Sequence, residues 1–162
     1  MINEVSLELQ KRKIYHKTKE DRVFTRRSKT KIPQLNNDIF YLLGVISGDG
    51  ALTLSKRKRG GYHYHLRIYS GEKKYLEYLN NLFLNLFGIK GRIKKDERKN
   101  SSFYISIQNA SIFFYFVMLG SEIGKKKIGK ISKIIKDKNE NFLHFLAGLV
   151  DTDGHVSAKR IQ

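Results

Sequence analysis

Two aspartates stand at positions where a carboxylate is hard to explain by structure alone. The segments Leu42-Leu43-Gly44-Val45-Ile46-Ser47-Gly48-Asp49-Gly50 and Leu146-Ala147-Gly148-Leu149-Val150-Asp151-Thr152-Asp153-Gly154 share their leading Leu, the Gly two places on and the closing Asp-Gly, 104 residues apart. A period that long marks a domain-scale duplication rather than a solenoid. Each segment reads as the end of an apolar helix, with the Asp in the last turn and the Gly as the stop. The helix dipole is negative there, by about half an elementary charge, so a carboxylate is disfavoured. Small residues recur four apart on one face of each helix, Gly44 with Gly48 and Gly148 with Thr152, which lets two backbones approach closely. Packed together, the helices bring Asp49 and Asp153 near each other, and each disfavours ionisation of the other. A divalent cation relieves both problems. Carboxylate oxygens with exposed last-turn carbonyls are hard ligands of the kind Mg²⁺ takes. One Asp-Gly is an ordinary turn; two, each closing an apolar helix with small residues in register, point to a metal site.

The elements that must position these acids emerge from hydrophobic periodicity. Asn37 or Asp38 reads as an N-cap for a densely apolar helix reaching Gly48 and stopped at Gly50. Residues 51–55 and 62–70 alternate as strands around the basic turn Lys56-Arg57-Lys58-Arg59-Gly60-Gly61. Tyr64, Leu66 and Ile68 share one face of the second strand; His63, His65, Arg67 and Tyr69 share the other. Residues 72–87 switch to helical spacing, with Gly88 as the stop. A second hairpin is expected over 91–95 and 102–109, with Phe103, Ile105 and Ile107 on one face and Tyr104, Ser106 and Gln108 on the other. A buried helix is expected at 110–119. A short helix is expected within the lysine-rich stretch 125–138, then an apolar helix over 141–150 closed at Gly154. The class is α+β, an antiparallel sheet with helices banked on one face. Residues 1–38 read as a basic N-terminal arm or linker, mobile or partly helical, ending at Ile32-Pro33. Residues 39–141 then form the body, and 142–162 hold the second motif helix and the start of an incomplete second half.

Composition narrows the partners. The chain has 162 residues and a formal net charge of +17, with nine Tyr and ten Phe, enough apolar material for a core. Polyanions are the natural partner for that charge, because each neutralised phosphate releases counterions. The absence of Cys rules out a disulfide scaffold, a Cys-ligated zinc site and a thiol nucleophile. With no apolar run of spanning length and no signal peptide, no membrane association is expected and an intracellular, cytoplasmic location fits. A two-stranded ribbon fits the major groove, so the polar strand faces are the candidate DNA contacts. They comprise Arg57, Arg59, His63, His65, Arg67 and Tyr69 in the first hairpin, and Arg92, Lys94, Tyr104, Ser106 and Gln108 in the second. His63-x-His65 has the spacing of a metal pair, but without a third ligand nearby a solvated face or base contact is the better reading. Lys125, Lys126 and Lys127 suit phosphate contact more than base reading.

The two nine-residue segments resemble the paired motifs of the LAGLIDADG homing endonucleases. The second is close to the family consensus, and the first has the degenerate ending Gly-Asp-Gly. The helix–hairpin–helix–hairpin–helix order between them is similar to one αββαββα half-domain of that family, and the resemblance covers roughly residues 38–156. The spacing is similar to that of archaeal intron-encoded endonucleases and of endonuclease domains within inteins. The resemblance implies that the motif helices, packed through Gly44, Gly48, Gly148 and Thr152, join two pseudo-symmetric halves whose sheets enter the major groove of a long double-stranded DNA site. It implies that Asp49 and Asp153, with the carbonyls of Gly48 and Thr152, bind the metals that make a staggered double-strand cut, as in intron homing. It also implies basic residues that position water; Lys73 or Lys74, and Lys159, are the candidates. Asp151 faces another direction and is assigned to capping or packing.

The chain departs from the two-motif pattern in having only eight residues, His155 to Gln162, after Gly154. Both motif helices are present with one sheet, so the other half is expected from a longer chain or a second one. The ends, Met1 and Ile161-Gln162, lack the residues of self-splicing, so cis splicing is not expected. Three functions stay open at this point. They are a metal-dependent site-specific endonuclease or its N-terminal portion, a non-cleaving nucleic-acid binder such as an intron RNA maturase or transcription regulator, and an inactive remnant.

Overall fold

The computed structural model describes residues 15–17, 22–25, 28–58, 62–97, 102–124 and 139–153. Three short strands come first, β1 (Tyr15–Lys17), β2 (Arg22–Thr25) and β3 (Ser28–Lys31). The body starts with helix α1 (Asn37–Gly48), capped by Asn36, whose side chain accepts from the Ile39 amide at 3.0 Å. Strands β4 (Gly50–Lys56) and β5 (Tyr62–Ser70) form the first hairpin and lead into helix α2 (Lys73–Phe87). The end of α2 is fixed by Gly88, which adopts φ 71° and donates to the Leu84 carbonyl at 2.8 Å. Only glycine enters that left-handed region without strain. Strands β6 (Arg92–Lys95) and β7 (Phe103–Ile107) form the second hairpin, then come helices α3 (Ala110–Met118) and α4 (Asn139–Asp153). The helix expected within 125–138 lies outside the described residues.

The four strands of the body run in the order β4-β5-β7-β6, all antiparallel. Sequence patterning identifies the two hairpins; the β5–β7 contact that merges them is a long-range pairing of Leu66 with Ile107 through Ser70 with Phe103. Period-two alternation then sorts the side chains. Leu52, Leu66, Ile68, Ile105 and Ile107 point into a core closed by α1, α2 and α3. Phe83, Phe87, Tyr115 and Phe116 fill its centre with ring centroids 5.4–6.2 Å apart. Each such fully buried side chain contributes on the order of 2 kcal/mol. Asn80 pins the start of β6 to α2 by accepting from the Gly91 amide at 2.7 Å and donating to its carbonyl at 3.1 Å.

Three details differ from the sequence reading. The N-cap of α1 is Asn36, one residue before the expected Asn37 or Asp38, because its Oδ1 is the acceptor that reaches the Ile39 amide. Gly50 does not stop α1. Asp49 is the C-cap, and Gly50 already begins β4. Glycine is needed there for space, because a Cβ would lie 2.5 Å from the Cα of Ile46. The stretch holding β1, β2 and β3, expected as an arm with at most partial helix, makes a separate antiparallel sheet in the order β1-β2-β3. Val23 sits opposite Thr30 in that ladder. Thr30 is fully buried, and its hydroxyl accepts from Asn109 Nδ2 at 3.0 Å. Ile32 joins the core, and the Pro33 carbonyl accepts from Tyr115 Oη at 3.3 Å. A short ladder can therefore dock where no isolated pattern would hold it.

Asn109 carries two loads, since its Oδ1 also caps α3 by accepting from the Ile112 amide at 3.1 Å. Asn109→Ala is expected to destabilise the protein by about 2 kcal/mol, a lost cap plus an orphaned buried hydroxyl. Asn109→Asp, which keeps the cap acceptor but not the donor to Thr30, should recover part of that loss. Urea-denaturation midpoints of the three proteins check it.

Candidate metal centre and nucleic-acid face

The two motif helices meet backbone to backbone. A Cβ on Gly44 would collide with the Phe145 carbonyl oxygen and come within 2.9 Å of the Leu149 nitrogen. A Cβ on Gly148 would collide with the Tyr41 carbonyl oxygen and come within 3.0 Å of the Val45 nitrogen. The contacts are reciprocal, as the internal repeat demands. The next small residues turn inward on their own helices: Thr152 Oγ1 donates to the Leu149 carbonyl at 2.9 Å, and Ser47 Oγ to the Leu43 carbonyl at 2.7 Å. Such bonds satisfy carbonyls near each helix end.

Asp49 caps α1 at the point where the chain enters β4, and its carbonyl accepts from the Tyr69 amide at 3.1 Å. That bond welds the helix end to the sheet. Asp153 is the last residue of α4. The two acids thus close two helices held in a common frame. Both helix ends carry partial negative charge, and the donors there are oxygens. That donor set fits a hard divalent cation.

The same sheet turns its other face outward, and the register places the sequence-selected residues on it. Ala51, Arg67, Ser106 and Arg92 form one cross-strand row, and Tyr69, Tyr104 and Lys94 form the next. Thr53 and His65 make a third, at the height of Gln108 just beyond β7. Arg67 lies 5.7 Å from the centre of the Tyr104 ring, a cation–π contact, and Tyr69 packs on Tyr104 at 5.5 Å. The side-chain Nε of Arg67 is buried and has no hydrogen-bond partner among the described residues.

Residues 37–117 match the family described as the LAGLIDADG-like domain. The chain belongs to that family. Among solved structures, the fold of the homing endonuclease I-DmoI is similar. The chain aligns with a structure from a study of mesophilic I-DmoI variants at TM-score 0.55 and 18% identity, covering 72% of this chain and 60% of that one. Against I-DmoI in complex with DNA and Mn the values are TM-score 0.54 and 20% identity, covering 72% and 61%. At these identities the likeness is one of fold. The chain spans about 60% of the length of the I-DmoI chains it matches.

Within this LAGLIDADG frame the selected residues separate. Gly44 and Gly148 make the helix contact. Arg67, Tyr69, Tyr104, Ser106, Arg92 and Lys94 share the outward face, with His63 exposed at its end beside Ser55. Arg57 lies just past β4, and its buried Nε also lacks a partner among the described residues. Lys73 opens α2 and pairs at 3.6 Å with Glu77 on the outside of that helix. Arg59 and Lys159, and the lysines at 125–127, lie outside the described residues. His65 is the correction. It was expected to present its ring to solvent or a base, yet it is only 9% exposed. Two neighbours, one on β4 and one just past β7, close over it: Gln108 Nε2 donates to Nδ1 at 3.3 Å, which leaves Nε2 as the protonated nitrogen of a neutral ring facing Ser55 Oγ at 2.9 Å. Both ring nitrogens are used, so His65 links β4 to the end of β7 rather than forming a metal pair with His63.

Burial first, then the charge of Arg67 and then His63, lower the His65 pKa below its usual 6.5. The unfolded chain therefore takes up this proton before the folded one does. Stability is expected to be level above about pH 6.5 and to fall on acidification until the folded-state pKa is passed. His65→Gln should flatten that limb between about pH 7.5 and 5.5, as read from denaturation midpoints.

The sequence did not single out Tyr41 or Tyr75. Tyr41 Oη donates to Asp151 Oδ2 at 2.7 Å and lies 3.1 Å from Tyr75 Oη. Asp151 thus has the packing role assigned to it, and its partner comes from the other motif helix. The apolar faces of the two helices also differ. Ile39, Leu42 and Ile46 of α1 are at most 2% exposed, whereas the residues at the same repeat positions in α4, Leu143, Leu146 and Val150, are 64%, 38% and 42% exposed. No described helix is long and apolar enough to cross a membrane.

Proposed function

We propose that this chain is a metal-dependent, site-specific DNA endonuclease of the homing type, or the N-terminal portion of one. The observation that carries the reading is the pairing of two Asp-terminated helices through Gly44 and Gly148, one of them tied by the Asp49 carbonyl to the Tyr69 amide of a sheet whose outward face bears Arg67, Arg92 and Lys94. Acids at negative helix ends next to a phosphate-binding surface serve hydrolysis, whereas a pure binder gains nothing from them. Asp49 and Asp153, with the carbonyls of Gly48 and Thr152, would hold the cation, Mg²⁺ in the first instance. Bound there, a divalent cation supplies an activated water and neutralises charge at the cleaved phosphate. The chain's own residues do the rest. The outward sheet face grips the duplex in the major groove, Arg67 and Arg92 reach base edges or phosphates, and Lys73 and Lys159 are candidates for steadying water.

Residues 39–141 form the first half-domain on this reading, preceded by the basic stretch 1–38. Residues 142–162 begin the second half. The uncovered face of α4 at Leu143, Leu146 and Val150 fits a second sheet equivalent to β4–β7, supplied by further chain or by another polypeptide. The test is cleavage of a randomised DNA library in Mg²⁺ by the wild-type chain beside Asp49→Asn and Asp153→Asn.

A further inference from the structure

The cations of the outward sheet face stand in two different settings. Arg92 and Lys94 belong to β6, an edge strand, and both are exposed. Arg67 belongs to β5, one of the two inner strands, and is half-buried. Its neighbours in the cross-strand row are small, Ala51 on β4 and Ser106 on β7, so neither walls it in. Tyr104, two residues before Ser106, is the diagonal neighbour, which a long side chain can reach across an antiparallel pair. The Arg67 guanidinium carbon lies 5.7 Å from the centre of that ring. Tyr69, directly opposite Tyr104, packs on the ring at 5.5 Å and fixes it in turn.

Contact with the ring sets the guanidinium before any ligand arrives, so less rotamer freedom is left to lose on binding. Of the three guanidinium nitrogens only Nε is buried without a partner among the described residues. The terminal pair, Nη1 and Nη2, is the edge left for a ligand. Two parallel N–H donors match two acceptors side by side. In the major groove guanine presents such a pair, O6 and N7, whereas adenine presents an acceptor beside a donor. A phosphate can also take two hydrogen bonds from an arginine. The position in the sheet decides between them. In a sheet laid along the groove the inner strands face its floor, where the base edges lie, and the edge strand faces its phosphate walls.

We propose that Arg67 is a specificity-determining residue that reads one guanine of the DNA site through its terminal nitrogens, with Tyr104 as the positioning residue that holds it. Arg92 and Lys94, exposed on the edge strand, take phosphates. The proposal rests on the duplex-DNA reading above and is independent of cleavage.

The test is selection of bound duplexes from a randomised library by the wild-type chain in chelator, followed by sequencing of the bound pool. The expected pool has a position where guanine is preferred roughly tenfold or more. Arg67→Lys keeps the charge without the planar fork, and should lose that preference while other positions keep theirs. Tyr104→Leu keeps the arginine without its support, and should relax the same position. Arg92→Ala should weaken binding to all sequences alike. 7-Deazaguanine at the preferred position removes N7 without altering the protein, and should weaken wild-type binding about tenfold. It carries the test should a variant fail to fold. A guanine preference that survives in folded Arg67→Lys, an even loss over all sequences in that variant, or wild-type binding indifferent to 7-deazaguanine overturns the proposal and leaves the duplex-DNA reading intact. A preference unchanged in folded Tyr104→Leu overturns the role of Tyr104. A wild-type chain that retains no duplex overturns the DNA reading and this proposal with it.

Discussion

Alanine at Gly44 or Gly148 is expected to destabilise the fold by on the order of 3 kcal/mol. The added carbon meets backbone, the carbonyl oxygen of Phe145 in one case and of Tyr41 in the other. Neither can yield without moving a whole helix, because each carbonyl is held in its own helical hydrogen-bond ladder. The helices must then separate, and the end of α4 moves away from Asp49. Gly88→Ala supplies the control. That position is left-handed at φ 71° with open space around it, so substitution adds local strain of about 1 kcal/mol and no clash. Chemical denaturation of the three variants should rank Gly44→Ala and Gly148→Ala well below Gly88→Ala. Equal losses would mean that the motif helices do not meet through these glycines.

That contact was legible in the sequence because it is local and periodic: small residues four apart, twice, ahead of an Asp. The outward sheet face was legible for the same reason. Alternation alone placed Arg67 and Tyr69 of β5 on one side and Leu66 and Ile68 on the other, and the register with β7 and β6 kept Tyr104, Ser106, Arg92 and Lys94 with them. What escaped depends on partners distant in the chain. The pairing of β5 with β7 is a long-range choice that hairpin patterns do not encode. His65 has the exposed parity of its strand, and its burial comes from Ser55 on β4 and Gln108 just past β7. The sheet of β1–β3 is short and rich in Lys and Arg, and its apolar content is too small to announce strands. Its anchors, Asn109 and Tyr115, lie far downstream. Tyr41 sat within an apolar run and read as core; only its hydroxyl, reaching Asp151 across the helix pair, sets it apart.

Asp49→Asn is expected to reduce DNA cleavage by at least roughly a hundredfold, with DNA binding little changed. Asparagine keeps the size and one oxygen but removes the charge that would hold a hard cation at the end of α1. A metal that activates water and neutralises charge at phosphate is worth several kcal/mol to the transition state, and each ~1.4 kcal/mol is about tenfold in rate. On the proposed reading, binding would rest instead on the cations of the sheet face, so removing a negative charge beside the phosphates should leave affinity equal or slightly stronger. The expectation for Asp153→Asn is the same, since the two acids close the same helix pair.

The most direct measurement is therefore cleavage of a randomised DNA library by the wild-type chain, Asp49→Asn and Asp153→Asn, with Mg²⁺ and with chelator, alongside gel-shift affinities at fixed salt. Discrete double-strand cuts by the wild type that need the metal and vanish in both variants, at matching affinities, are the predicted result. Cuts that survive both substitutions, or DNA bound equally by all three proteins and cut by none of them, would contradict an endonuclease built on Asp49 and Asp153.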